Sequence, residues 1–245
     1  MTMRVEAFII HLARAEQRRE QVEKLRRDLP VPSHVIDAVD GNALSEAEIA
    51  PVYQPHIHRP RYPFALRPGE IGCFLSHRRA WQAIVDQGLD AGLIVEDDVE
   101  VDVGTLKRLL SLHEGIFDPH DYLRFPHKAN ETGRTVAEGK GASIFKPDVP
   151  GLGMVMQLVG KEAASALLEA TRRFDRPVDT SIQLGYPAIR LLSSQPLCVR
   201  EISAQIGGTV IQGKQKSLGE TITREGKRAI YRARMRRAVK GAKRA

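Results

Sequence analysis

Three consecutive acidic residues, Glu96, Asp97 and Asp98, follow the short apolar segment "GLIV" at residues 92–95. Adjacent carboxylates repel one another, so such a cluster needs a cation or a partner to offset the repulsion. If the chain stays extended beyond Val95, Glu96 and Asp98 point to one side and Asp97 to the other. Glu96 and Asp98 then offer the oxygen ligands that Mg²⁺ and Mn²⁺ prefer, with phosphate oxygens of a substrate completing the shell. The cluster therefore predicts a metal site for a nucleotide phosphate.

Two other interpretations of the cluster were weighed. The acids could form a solvated turn that caps the next helix, and composition alone leaves that alternative open. A Walker B interpretation requires a G-x-x-x-x-G-K-[ST] loop elsewhere in the chain. The nearest candidate, "VMQLVGKE" at 155–162, lacks the first glycine and the Ser or Thr, so this interpretation is excluded.

The segments before the cluster predict an α/β fold. "VEAFIIHL" (5–12) is typical of a buried strand, "ARAEQRREQVEKLRRDL" (13–29) of a polar helix and "SHVIDAV" (33–39) of a second strand. This strand–helix–strand unit implies parallel strands. Next, "GEIGCFLSHRRAWQAIVDQG" (69–88) has helical spacing, and "AGLIV" (91–95) is a strand covered on both faces. Ligands bind at the carboxyl ends of such strands, where the acids stand.

The rest of the chain continues the pattern. Five prolines in residues 51–68 predict a long surface loop. Further helices are expected at 103–113 and 160–174, and further strands at 121–125, 142–145 and 153–159 around a Gly/Lys-rich turn at 139–141, then at 188–194 and 197–201. One α/β domain at residues 1–212 and a tail at 213–245 are therefore expected.

Composition excludes several classes of protein. Hydrophobic residues at 42% and charged residues at 27% are ordinary globular values. The apolar stretches are too short for a membrane span or a signal peptide, so a cytoplasmic location is expected. Cys73 and Cys198 fit neither a disulfide framework nor a zinc motif, and buried thiols are expected.

The positive charge is concentrated at the end of the chain. The net charge is +7, but residues 224–245 hold ten Lys or Arg against one acid. Such a basic, helical or disordered tail could hold the protein on an anionic membrane surface, on the inner face of the cytoplasmic membrane. A solvated tail remains the alternative. Nucleic-acid binding is not expected, because Tyr231 is the only aromatic residue in the tail.

Four segments resemble a known family. "RPGEIGCFLSHRRAWQAIV" (67–85), followed by "GLIVEDDV" (92–99), is similar to the central block of glycosyltransferase family 25, the bacterial lipooligosaccharide sugar transferases that include β-1,4-galactosyltransferases. "FIIHLARAEQRRE" (8–20) resembles the family's opening, and "AVDG" (38–41) and "RPVD" (176–179) have counterparts. The resemblance covers roughly residues 5–200. His11 and Ala13 depart from the family's Asn and Asp, whereas Arg14 and Arg18 are retained.

The resemblance implies a GT-A-like, Rossmann-type domain with a mostly parallel central sheet, which binds a nucleotide sugar with Mn²⁺ or Mg²⁺. Asp98 would ligate the metal, and Glu96 would assist it or contact the ribose. Asp97 and Asp179 are the expected catalytic residues, with Asp179 as the base that takes the proton of the acceptor hydroxyl. The residues expected to contact the nucleotide or substrate are His11, Arg14, Arg18, Asp40, Glu70, Ser76, His77 and Glu96.

Five of these residues have a structural alternative. Arg14 and Arg18 suit a diphosphate, but on a polar helix they could equally be solvated surface charge. On a helix, His77 shares a face with Cys73 and Trp81, which suits a packed histidine. Glu70 opens the same helix, where a carboxylate stabilises the positive end of the dipole. Asp179 follows Pro177 and could be an N-cap.

The expected function is a metal-dependent inverting transfer of a hexose, most plausibly galactose from UDP-galactose. The expected acceptor is a lipopolysaccharide, lipooligosaccharide or related surface glycan, carried on a lipid. The alternative is a non-catalytic relative that binds a sugar nucleotide or a glycan, suggested by the altered residues at positions 11 and 13.

Overall fold

The computed structural model describes residues 3–206 and 218–242. The strands are β1 (Val5–His11), β2 (Ser33–Asp37), β3 (Ala91–Glu96), β4 (Val99–Val101), β5 (Asp121–Arg124), β6 (Gly133–Gly139), β7 (Ala142–Pro147), β8 (Met156–Gly160), β9 (Arg190–Gln195) and β10 (Val199–Glu201). The α-helices are α1 (Arg19–Asp28), α2 (Glu46–Ile49), α3 (Pro68–Asp86), α4 (Val103–Glu114), α5 (Lys161–Ala170), α6 (Val178–Ile182) and α7 (Leu218–Ala242).

Within the described residues, eight strands form one sheet in the order β2-β1-β3-β8-β5-β9-β7-β6. The β1 strand is parallel to both β2 and β3, and β5 is parallel to β9. Only β8 and β7 run against their neighbours in this sheet. Six of its strands therefore point in one direction, which confirms the predicted α/β fold with a mostly parallel sheet. A small second sheet pairs β4 with β10.

The sheet is covered on both faces, as the continuous apolar strands predict. Ile9 and Leu93 belong to a core cluster that includes Leu25 of α1 and Leu106 of α4. Their neighbours Phe8 and Ile94 belong to a second cluster with Trp81 of α3 and Leu167 of α5. This division follows the alternation of side chains along a strand. Each central strand thus supplies apolar side chains to two layers of helices.

The first predicted helix starts later in the structure than expected, and the strand β6 was not predicted. The first helix begins at Arg19, after a short 3-10 turn at Glu16–Arg18, and not at Ala13. The turn at 139–141 joins β6 to β7, with positive φ angles of 52° at Lys140 and 72° at Gly141. The sequence did not predict β6, because it lies at the sheet edge with most of its side chains outside the core and so lacks an apolar pattern.

The basic end of the chain contains a helix, α7. The expected boundary at 212/213 lies outside the described residues. Tyr231 and Met235 are buried against the domain, whereas the neighbouring Ile230 is 57% exposed. Within the described ranges, no helix is long and apolar enough to cross a bilayer.

Candidate functional site

A cavity of about 520 Å³ opens where three neighbouring parallel strands end. His11 is the last residue of β1, Glu96 is the last of β3, and Asp40 follows β2. The cavity is also lined by Glu70 and His77 of α3, Asp179 of α6 and the segment Leu152–Val155. Every expected site residue except His11 therefore lines a single cavity, and His11 is a partner of the lining residue Asp97.

The turn at Asp97–Asp98 departs from the predicted geometry. The expectation of an extended chain through Asp98 was wrong, because β3 ends at Glu96 and the next two residues form a turn before β4. Asp97 is buried there. His11 Nδ1 lies 2.7 Å from Asp97 Oδ2, and Arg18 Nη1 donates to Asp97 Oδ1 at 2.6 Å. The Asp97 carboxylate is therefore held between His11, at the end of β1, and Arg18, in the 3-10 turn that follows β1.

Asp98 occupies a different environment from Asp97. Arg18 Nη1 lies 3.2 Å from Asp98 Oδ2, so one guanidinium contacts both acids of the turn. Burial and the neighbouring charge of Glu96 raise the pKa of Asp98 to about 7, in spite of Arg18. A pKa this high means that the positive charge of Arg18 does not offset the burial of Asp98 and its repulsion by Glu96. This is the environment in which a bound cation would be favoured.

Other carboxylates face the same region. Burial raises the pKa of the Cys73 thiol well above its ordinary value, and nearby carboxylates add to this effect in the order Glu96, Asp179, Asp98, Glu70. These four side chains come from β3, α6, the turn and α3. The tertiary structure thus concentrates negative charge around one point of the cavity.

Asp40 and Arg14 form an ion pair at the mouth of the cavity. Arg14 Nε lies 2.6 Å from Asp40 Oδ2. Burial would raise the pKa of Asp40, but the hydrogen bonds from Asn42 and Arg14 outweigh it and hold the pKa below its ordinary value. Arg14 is half-exposed, so it can turn towards a ligand at low cost.

Two glycines allow the segments "AVDG" and "GEIGC" to pack closely against each other. A Cβ on Gly41 would lie 1.7 Å from the carbonyl oxygen of Pro68, and one on Gly72 would lie 2.4 Å from the carbonyl oxygen of Val39. The loop after β2 therefore packs directly on the backbone of α3. Ser76 strengthens this contact, because its hydroxyl accepts from Val39 N at 2.8 Å and donates to Gly72 O at 2.7 Å. These two contacts of Ser76 are thus structural.

Glu70 and His77 line the cavity from α3. The Glu70 carboxylate accepts a hydrogen bond from Arg67 N at 2.8 Å and so caps the helix. His77 is only 1% exposed, with Nδ1 lying 3.3 Å from Gln157 Nε2 and Nε2 lying 3.5 Å from Glu96 Oε1. Glu70 thus caps its helix and His77 is packed, as their structural alternatives predicted, and both residues also line the cavity.

Asp179 is held by backbone groups from two segments. Its Oδ2 accepts from Gly153 N at 3.1 Å, and its Oδ1 accepts from Thr180 N at 2.6 Å. Pro177, not Asp179, is the N-cap residue of α6. The carboxylate is therefore fixed in the cavity wall without serving as the helix cap.

Among the lining residues that sequence reasoning missed, four carry a charge or an imidazole: His127, Glu201, Arg228 and Arg232. His127 follows β5 and Glu201 ends β10, so their positions at element ends were a usable signal. Arg228 and Arg232 are one helical turn apart in the basic tail. Nothing in their spacing distinguishes them from the other arginines of α7, because only docking selects which face of this helix meets the cavity.

The docking of α7 depends on a buried arginine. Arg176 is fully buried, and its Nη1 donates to the Tyr231 hydroxyl at 2.8 Å. The ring of Tyr231 also meets the ring of Tyr62 edge-to-face, with centroids 5.3 Å apart. Arg228 lies over the ring of Phe64, with Cζ 5.9 Å from the centroid. These contacts place the helix against the proline-rich loop, beside the cavity.

Comparison with known proteins gives the family. Residues 4–182 match the family model described as glycosyltransferase family 25 (LPS biosynthesis protein). Procollagen galactosyltransferase 1 of Danio rerio is 35% identical over 114 residues, which cover 45% of this chain and 19% of that protein. Inactive glycosyltransferase 25 family member 3 of Homo sapiens is 36% identical over 114 residues, with the same coverage of 45% and 19%. The chain thus spans about a fifth of the length of these curated relatives.

A solved structure, that of a glycosyltransferase involved in the glycosylation of the major capsid of PBCV-1, is 14% identical, with a TM-score of 0.40. The match covers 81% of this chain and 94% of the chain in the solved structure. The family match over residues 4–182 includes the three strand ends, the acidic turn and Asp179, and it stops before β9 and α7. Because the match spans more than half of the sequence, the chain belongs to glycosyltransferase family 25.

Proposed function

We propose that this chain is a metal-dependent inverting glycosyltransferase that transfers galactose from UDP-galactose to a glycan acceptor. The observation that carries the proposal is the convergence of Glu96, Asp98 and Asp179 on one cavity at the ends of parallel strands. Membership of family 25 supports sugar transfer, and relatives named procollagen galactosyltransferase support galactose as the sugar.

Asp98 and Glu96 are the proposed ligands of Mn²⁺ or Mg²⁺. Their fit to a hard cation is supported by the raised pKa of Asp98, which burial and Glu96 cause. When bound, the cation would neutralise charge on the departing nucleoside diphosphate. Asp97 is proposed to position Asp98 through their shared partner Arg18. This positioning role replaces the catalytic role that the sequence suggested for Asp97.

Asp179 is the proposed general base. An inverting transfer needs a group that takes the proton of the acceptor hydroxyl as its oxygen attacks the anomeric carbon. The N–H groups of Gly153 and Thr180 fix this carboxylate in the cavity wall. A fixed carboxylate loses less freedom on meeting the acceptor, which favours the reaction geometry.

Arg228 and Arg232 are proposed to bind the diphosphate of the donor. They bring positive charge to a cavity whose other wall is acidic. Charge-assisted hydrogen bonds from guanidinium groups suit phosphate oxygens.

A second cavity of about 570 Å³ adjoins the first and is the proposed acceptor side. The two cavities share Leu152 and Arg232 in their walls. Lys128 and Arg236 also line the second cavity, which suits an acceptor with phosphate or carboxylate groups, such as a lipid-linked surface glycan. A peripheral position on the inner face of the cytoplasmic membrane fits this acceptor, with the exposed arginines of α7 contacting anionic lipid.

The test of the donor assignment is a thermal-shift comparison of UDP and GDP, each with and without Mn²⁺. We expect UDP with Mn²⁺ to stabilise the protein more than either alone, by about 2.7 kcal/mol at a hundredfold excess over Kd. Slow release of UDP from UDP-galactose would then distinguish an enzyme from a non-catalytic relative. A response to GDP alone, or no response to any nucleotide, would overturn the donor assignment.

The role of α7 is tested by an Arg228→Gln/Arg232→Gln double variant. We expect the affinity of the Mn²⁺-loaded protein for UDP to fall by about tenfold or more, because two charge-assisted contacts to the diphosphate are lost. Isothermal titration calorimetry measures the change. The matched control is Arg234→Gln/Arg237→Gln, which removes the same charge from exposed positions of α7 outside both cavities. Equal losses in the two double variants would show a general charge effect and contradict the assignment.

A further inference from the structure

Cys73, His77 and Glu96 form a mixed-ligand cluster beside the cavity. The Cys73 sulfur, a His77 ring nitrogen and a Glu96 carboxylate oxygen all lie within 4.8 Å of one another. Cys73 and His77 are four residues apart on α3 and so share one face of the helix. Glu96 reaches them from the end of β3. Two different elements thus bring one sulfur, one nitrogen and one oxygen ligand together.

His77 carries a ring nitrogen that is available to this cluster. The side chain is 1% exposed, and within the described part of the chain Nε2 makes no hydrogen bond. Buried polar atoms are rarely left in that state, because the loss of water is then not compensated. Nε2 instead lies 3.5 Å from Glu96 Oε1, on the side of the cluster.

The other nitrogen of His77 has a partner that suits metal binding. Nδ1 lies 3.3 Å from the side-chain amide of Gln157 on β8. The amide nitrogen and oxygen exchange places when the end of the side chain rotates, so Gln157 can accept a hydrogen bond from Nδ1–H. That contact would leave Nε2 with a free lone pair and fix the ring, as outer partners of ligating histidines do.

We propose that Cys73, His77 and Glu96 bind a divalent cation of the zinc class. Sulfur, imidazole and carboxylate are the ligands that zinc takes, and three protein ligands with one open position form a common zinc geometry. The ligand atoms need to draw in by about 1 Å to reach zinc-bonding distances, which side-chain rotation of Cys73 and Glu96 allows. Thiolate ligation favours zinc or cobalt over Mn²⁺ or Mg²⁺.

This site shares Glu96 with the donor-metal site of the proposed function. A zinc-class ion held by Cys73 and His77 draws Glu96 away from Asp98. Provided that the proposed function is correct, zinc and Mn²⁺ therefore compete through one carboxylate, and zinc lowers the stabilisation by Mn²⁺ with UDP. The binding of the zinc-class ion itself needs no nucleotide.

The experiment is a titration of the reduced, metal-free chain, residues 1–245, with Co²⁺, a coloured substitute for zinc. Thiolate ligation gives a near-ultraviolet charge-transfer band, which we expect at one equivalent of Co²⁺. Added Zn²⁺ should abolish the band, and excess Mg²⁺ should not. Cys73→Ser should lose the band, whereas the matched control Cys198→Ala keeps it, because Cys198 lies in the other core cluster.

His77→Gln tests the same site with both thiols intact. We expect its affinity for Co²⁺ to fall by at least about tenfold, because losing only a hydrogen-bond partner of a ligating histidine already lowers metal affinity by about that factor. Absence of the band in the unaltered protein, or its persistence in Cys73→Ser, would overturn the inference. A missing band together with a Mn²⁺-dependent response to UDP would overturn this inference alone, and the reverse result would overturn only the donor assignment.

Discussion

Replacing Asp98 with asparagine should make the metal-free protein more stable at neutral pH and, at the same time, remove its response to Mn²⁺ with UDP. Burial and Glu96 raise the pKa of Asp98 to about 7 from the ordinary value of 3.8. The folded state therefore binds a proton that the unfolded state has already released. Asparagine has nearly the same shape and no charge, so it avoids the cost of ionising this buried group.

The sign of the pH dependence follows from linkage. For an acid whose pKa is raised on folding, the contribution to stability is greatest below the unfolded pKa and is lost as the pH rises through the folded pKa. Between about pH 4 and pH 7, the wild-type protein should lose stability relative to Asp98→Asn. The difference should be near zero at pH 4 and level off above pH 7 at a value on the order of 4 kcal/mol, since the rise of the pKa from 3.8 to about 7 already includes the contact with Arg18.

Thermal melts across this pH range, with and without Mn²⁺ and UDP, measure both effects. The matched control is Glu100→Gln, since Glu100 lies in the same acidic stretch but is half-exposed and pairs with Lys24 and Arg200. This control should keep the response to Mn²⁺ with UDP. A full response in Asp98→Asn would show that Asp98 is not a metal ligand.

Replacing Arg176 with methionine should destabilise the protein and release α7 from the domain. Arg176 donates from Nε to Asp175 Oδ1 at 2.7 Å and from Nη2 to Pro60 O at 3.1 Å, as well as to Tyr231. Among the described residues, methionine leaves the buried Asp175 with hydrogen-bonding contacts from His58 alone. Breaking a buried ion pair on one side costs about 3–5 kcal/mol, because the remaining charge is no longer compensated.

Three measurements separate the parts of this effect. Chemical denaturation gives the free energy of unfolding, limited proteolysis reports the release of α7, and calorimetry reports UDP binding. Tyr231→Phe should cost only about 1 kcal/mol, because it removes one hydrogen bond and keeps the ring. Arg173→Met is the matched control, since Arg173 is exposed. Normal UDP binding in a folded Arg176→Met protein whose α7 is released would contradict the role proposed for Arg228 and Arg232.

The sequence predicted the parts of the fold that depend on local pattern. The apolar runs at β1 and β3 are continuous because both faces of the central sheet are covered, and this pattern is visible in the chain itself. Edge strand β6 has no such pattern and was missed. The resemblance to family 25 was carried by local motifs and is confirmed by the family match over residues 4–182. Two of these motifs, "AVDG" and "GEIGC", contact each other at Gly41 and Gly72.

The sequence by itself determined the fold class, the family and the strand end at which the acidic cluster stands. Only the tertiary structure decided what each acid meets: Asp97 is held by His11 and Arg18, whereas Asp98 shares an acidic cavity with Glu96 and Asp179. It also decided that α7 buries Tyr231 against the domain and turns Arg228 towards that cavity. The physical reason is that alternation and amphipathicity are local properties, whereas charge compensation depends on groups that are distant in the chain and adjacent only after folding.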